Sequence, residues 1–145
     1  MCQEMSQIRV VDCAGKLLHN CDDLWKVFAD DKIRFISEYK FCICPENSNC
    51  AGYVTEKAFQ SIDAGCIPVY WGSFNQPEPE VLNPDAMIFW EKDGDNRKAM
   101  DLIRELEGSQ SKYDEFVNQS RLKDGAEDYV LGTIHELETR IRALL

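Results

Sequence analysis

Glu56 and Lys57 stand side by side behind Thr55, with Tyr53 just before them and Asn47 earlier in the same polar segment. A lysine in the first turn of a helix opposes the helix dipole, whose N-terminus is positive, so a cation there is intrinsically unfavourable. An anion bound at that place reverses the sign, because the free amides of a helix start and a lysine ammonium then converge on negative charge. Glu56 complements the dipole, and its carboxylate accepts hydrogen bonds from sugar or ribose hydroxyls. Tyr53 adds a ring and a phenol, and Asn47 a donor and an acceptor. The chemistry is recognition of a diphosphate-bearing, hydroxyl-rich ligand. Each residue also fits a plainer role: Glu56 as dipole complement, Lys57 as solvated surface, Tyr53 as loop packing and Asn47 in an Asx turn.

Such residues need a strand before them and a helix after them. Tyr39 to Cys44 is an apolar run ending at Pro45, which reads as a buried strand of a parallel sheet. Thr55 is placed to cap a helix from Glu56 to about Ala64, with Gly65 as its C′ residue. Ile67 to Trp71 is the next strand, so the span 39–71 is a βαβ unit with a right-handed crossover. In such sheets ligands bind beyond the carboxyl ends of the strands, which is where Glu46 to Lys57 lies. Upstream, Ile8 to Cys13 reads as a β-branched strand and Asp22 as the N-cap of a short helix to Ala29. A second helical piece spans 31–38. Downstream, Ala86 to Trp90 reads as a strand and Asn96 to Leu106 as an amphipathic helix with Ala99, Ile103 and Leu106 inward. Helices at about 112–121 and 126–144 follow. The fold class is α/β, a Rossmann-like parallel sheet flanked by helices, in one domain over residues 1–145 with a helical tail from about 108.

The runs Tyr39-Lys40-Phe41, Glu46-Asn47-Ser48, Tyr53-Val54-Thr55-Glu56-Lys57 and Ile67-Pro68-Val69-Tyr70-Trp71-Gly72 occur in this order. Together they resemble the donor-binding, C-terminal domain of the α1,3/4-fucosyltransferases over about residues 8–107. The resemblance implies the C-terminal half of a two-domain, GT-B-type glycosyltransferase. Its donor substrate is GDP-fucose, from which L-fucose moves to a glycan hydroxyl with inversion. Carried over residue by residue, Asn47, Tyr53, Glu56 and Lys57 are the donor-binding positions, with Lys57 neutralising the leaving diphosphate. Gly15 to Asn20 resembles a loop beside that site. Two departures stand out: Pro45 replaces an aromatic residue before Glu46, and an arginine expected upstream as a second diphosphate ligand has no counterpart, Arg9 lying elsewhere. The glycan acceptor is expected to bind a missing N-terminal domain that carries the general base. No catalytic residue is therefore assigned, and the chain is expected to be inactive alone. Two alternatives stay open: a glycosyltransferase using another nucleotide sugar, and a noncatalytic nucleotide-binding or interaction domain. The resemblance implies a cytoplasmic or membrane-peripheral place in a bacterium, and the Golgi lumen for a eukaryotic type II membrane enzyme.

Composition narrows the classes further. The formal net charge is -10, with 16 Lys and Arg against 26 Asp and Glu and no basic run, which argues against a nucleic-acid partner. No apolar stretch approaches the ~20 residues of a membrane span. Seven cysteines without a CxxC pair read as reduced thiols and not as a zinc site. No metal or cofactor is expected, since cationic side chains and a helix N-terminus can hold a diphosphate; Asp93-Gly94-Asp95 reads as a turn. His19 reads as a loop residue, and Trp71 and Trp90 as core.

Overall fold

The computed structural model describes residues 1–144. Three parallel strands, β1 (Phe41–Pro45), β2 (Ile67–Trp71) and β3 (Ile88–Phe89), form a sheet in the order β1-β2-β3. Phe41 pairs with Ile67 and Pro45 with Trp71, so the carboxyl ends of β1 and β2 are level. Among the described residues seven α-helices accompany them: α1 (Cys2–Met5), α2 (Asp23–Lys26), α3 (Lys32–Ile36), α4 (Glu56–Asp63), α5 (Arg97–Gly108), α6 (Gln110–Val117) and α7 (Ala126–Arg142). The expected parallel sheet flanked by helices is thus the observed one.

Successive strand residues point to opposite faces, and β2 is apolar on both, as a central parallel strand must be. Ile67 and Val69 face α5, where Met100, Ile103 and Leu106 join Ile88, Trp90 and Met5 in one core. Each such side chain, fully buried, contributes roughly 1.5–3 kcal/mol. Tyr70 faces the other way, into a second core with Cys44, Ala58, Leu82 and Met87. Tyr113, Phe116 and Val117 of α6 pack onto the first core, whereas α7 buries only Ala126. A third cluster of Ala14, Leu24, Phe35, Ile36 and Cys66 closes the amino ends of the strands.

Several boundaries moved. The expected strand at Ile8 to Cys13 is absent. Asn20 takes its backbone groups instead, accepting from the Cys13 amide at 2.6 Å and donating to the Val11 carbonyl at 2.9 Å, and Val10 is 77 % exposed. β-branched residues without a ladder partner do not make a strand. The helix after Asp22 ends at Lys26, and the Asp22 carboxylate binds His19 and Lys26 in place of the helix amides. Gly65, at φ 79, stands where a left-handed C′ residue is needed to end α4.

The cysteines divide by place: Cys44 and Cys66 are buried, Cys50 is exposed, and all seven are free thiols. Burial pushes the Cys66 thiol up to about 12. Trp90 is core as expected, while Trp71 is half-buried with the Lys92 ammonium 5.6 Å from its ring centre.

Candidate functional site

The segment after β1 is shaped by the residue that opens it, to which the sequence motifs assign no binding role. Glu46 is the first residue past the strand. Its amide extends the ladder to the Trp71 carbonyl at 2.8 Å, and its carboxylate turns inward, only 3 % of the residue being exposed. Four donors surround that carboxylate. The Thr55 amide and hydroxyl donate at 2.9 and 2.7 Å, the Lys57 ammonium at 3.3 Å and the Tyr70 phenol at 3.4 Å. Burial pushes the Glu46 carboxyl up, but the Thr55 hydroxyl and amide and the Lys57 charge outweigh it, leaving the group below its ordinary value. Burial, with the same carboxylate beside it, drives the Tyr70 phenol well above the ordinary tyrosine range.

Room for Glu46 comes from Gly72. A Cβ at Gly72 would stand 2.5 Å from the Glu46 Cγ, and Gly72 adopts φ 142. Only glycine tolerates both conditions. Beyond Gly72 the next loop braces the first: Asn49 accepts from the Phe74 amide at 2.6 Å, and the Gly52 amide donates to the Ser73 hydroxyl at 3.2 Å.

Thr55 occupies the N-cap position of α4, but it does not cap. Its hydroxyl turns to Glu46, donating to the carboxylate and accepting from the Lys57 ammonium, and among the described residues no side chain takes the amides of the first helical turn. These amides have no acceptor within a helix and face the open end of the sheet. Lys57 lies among them, its side chain 26 % exposed, with Nζ also 3.2 Å from the Thr55 hydroxyl. Asn47, Tyr53 and Glu56 are exposed on the same segment, and among the described residues their side chains make no hydrogen bond. The structure therefore gathers Lys57, Thr55 and Glu46 into one cluster and leaves Asn47, Tyr53 and Glu56 around its rim. An uncapped helix start with a fixed ammonium is chemically suited to an anion, and free hydroxyl-binding groups beside it to the hydroxyls of a nucleotide sugar.

Other candidates fall away from this place. Asp12 accepts from the Tyr39 phenol at 3.0 Å and Ala14 packs with Cys66, so the Gly15 to Asn20 loop lies at the amino ends of the strands, opposite the α4 N-terminus. Arg9 pairs with Glu107. Asp93 sits in a turn, and Asp95, just beyond it, is bound to the Arg97 guanidinium at 2.6 Å. A cavity of about 190 Å³ lies under the loop 75–84, walled by Pro77, Leu82, Pro84, Met87 and Phe89, and holds none of the four predicted residues.

Residues 1–124 match the family model described as "Glycosyltransferase family 10 (fucosyltransferase) C-term". The chain belongs to this family. The match extends past both ends of the region 8–107 that the sequence motifs marked. Among family relatives, α-(1,3)-fucosyltransferase B of Drosophila melanogaster is 31% identical over 123 residues, covering 71% of this chain and 28% of its own length. GDP-fucose protein O-fucosyltransferase 3 of Xenopus laevis is 35% identical over 92 residues, covering 59% of this chain and 20% of its own. This family-10 chain thus spans under a third of the length of these two relatives. Its backbone superposes on a crystal structure of an α1,3-fucosyltransferase with GDP at a TM-score of 0.67 and 27% identity, covering 84% of this chain and 34% of that one. A further structure, with GDP-fucose, gives a TM-score of 0.65 and 26% identity over 84% of this chain and 34% of that one.

Proposed function

We propose that this chain is the donor-binding part of a fucosyltransferase and holds GDP-fucose at the N-terminus of α4. The observation that carries the reading is the Lys57 ammonium fixed by a buried carboxylate beside uncapped helix amides, within a family whose solved relatives include GDP and GDP-fucose complexes. In fucosyl transfer the bond from the sugar to the diphosphate breaks, and negative charge gathers on the departing phosphate. Lys57 and the amides of Glu56 and Lys57 would meet that charge without reorganising. Glu56, Tyr53 and Asn47 would take the ribose and fucose hydroxyls.

The acceptor hydroxyl needs a base, and we assign that role to none of these residues. Donor binding without transfer is accordingly the activity proposed for these residues alone, with the glycan acceptor and its base contributed by another part of a longer enzyme. Calorimetric titration with GDP-fucose, GDP-mannose and a UDP-sugar tests the donor. Preference for GDP-fucose supports the reading. Preference for another nucleotide sugar moves the chain to a different donor. Unaltered GDP affinity in both Glu56→Ala and Lys57→Ala would refute the site and leave a noncatalytic module.

A further inference from the structure

We infer that Glu46 is the positioning residue for Lys57: its buried carboxylate fixes the ammonium so that one N–H remains aimed at an anionic ligand, an inference that rests on the donor-site reading above. Lys57 Nζ has three N–H donors. Two are engaged, by Glu46 Oε2 at 3.3 Å and by Thr55 Oγ1 at 3.2 Å. A lysine on a solvated surface spreads over many rotamers and must give them up when it binds a phosphate. Lys57 has given them up before any ligand arrives. The arrangement is costly to build, since a buried carboxylate needs every acceptor lobe filled, and Thr55, Tyr70 and Gly72 are all committed to it. A purely architectural link between β1 and α4 would need no charge.

Glu46 has two opposite effects on a bound diphosphate. Its negative charge repels the phosphates, while its grip on Lys57 pre-organises the cation that attracts them. The inference states that pre-organisation wins, and a double-mutant cycle separates the two. Glu46→Gln has the same shape and still offers an oxygen to the Thr55 amide, but it presents no charge to Lys57. GDP is titrated against the parent chain, Glu46→Gln, Lys57→Met and the double variant, with circular dichroism confirming the fold of each.

Glu46→Gln is expected to bind GDP about three- to tenfold more weakly than the parent, the range for immobilising one flexible side chain. In the Lys57→Met background the same change should weaken nothing further. Equal or tighter binding by Glu46→Gln in the parent background overturns the inference. A readout without ligand stands beside it: the side-chain ammonium ¹H–¹⁵N signal of Lys57, slowed in exchange by its hydrogen bonds, should be visible in the parent and lost in Glu46→Gln. Its persistence in that variant also overturns the inference. If Glu46→Gln does not fold, Glu46→Asp, which keeps the charge but retracts it by one methylene, should weaken both the signal and GDP binding in the same direction, and unchanged values count against the inference. A parent chain that shows the Lys57 signal, loses it on Glu46→Gln and yet binds no GDP refutes the donor site while leaving the Glu46–Lys57 coupling intact.

Discussion

Replacing Gly72 by alanine probes the contact on which the site's geometry depends. The added Cβ would lie 2.5 Å from Cγ and 2.6 Å from Cβ of Glu46, and 3.3 Å from the Tyr70 hydroxyl. Carbon atoms rest at about 3.5–4.0 Å, so the overlap with Cγ is about 1–1.5 Å. Glu46 has no free direction of retreat, because its amide is in the ladder and its carboxylate is held by Thr55, Lys57 and Tyr70. Overpacking of this kind costs about 1–3 kcal/mol. The backbone at φ 142 adds a second penalty of about 1–3 kcal/mol for any residue with a Cβ. The two together come to about 2–6 kcal/mol, against a total of about 5–15 kcal/mol for an ordinary domain. Urea denaturation measures it. With a slope of about 2 kcal/mol per molar, the midpoint should fall by about 1–3 M at unchanged slope. A loss below about 0.5 kcal/mol would refute the close approach of β2's end to Glu46.

The remaining expectations are smaller in scope. Thr55→Val removes the hydroxyl that donates to Glu46 at 2.7 Å and should destabilise the fold by about 1–3 kcal/mol in the same urea experiment, since a buried acceptor is left short of a donor. Glu46 should also shape the acid limb of stability. Its native value is depressed below 4.5, so its contribution is full above that unfolded value and is lost as pH falls through the lower native one. A pH series of unfolding midpoints should therefore decline below about pH 4.5, and the decline should be shallower in Glu46→Gln; parallel declines would contradict the pairing. Trp90→Ala, at a residue 1 % exposed in the first core, should cost about 3–5 kcal/mol. Removing residues 126–145 should shift the thermal midpoint by only a few degrees, because among the described residues of α7 only Ala126 is buried.

The parts of the fold legible in the sequence are those whose cause is local. β2 matches its expected span, since Gly65 ends the preceding helix and the five apolar residues that follow are bounded by Gly72. Helix α4 likewise begins and ends where Thr55 and Gly65 place it. The strand expected at Ile8 to Cys13 failed because strand formation requires a neighbour, and which backbone groups Asn20 would claim is not written in a β-branched pattern. The site divides in the same way. Lys57 and Glu56 were legible as charges at a helix start. Glu46 was not, because its role depends on Gly72 and Tyr70, which reach it only when β2 lies beside β1. A carboxylate directly after a buried strand, with a glycine at the end of the following one, was the available signal. Thr55 was legible as a helix start but not as a donor to Glu46, since its hydroxyl is drawn to a carboxylate and an ammonium that only the folded chain places beside it.

The most direct test of donor binding at the α4 N-terminus is calorimetric titration of the folded chain and of Lys57→Ala with GDP. The parent should bind, and the loss of one charge-assisted contact should weaken binding roughly tenfold to a hundredfold. Equal GDP affinity in the two proteins, both folded by circular dichroism, would contradict it.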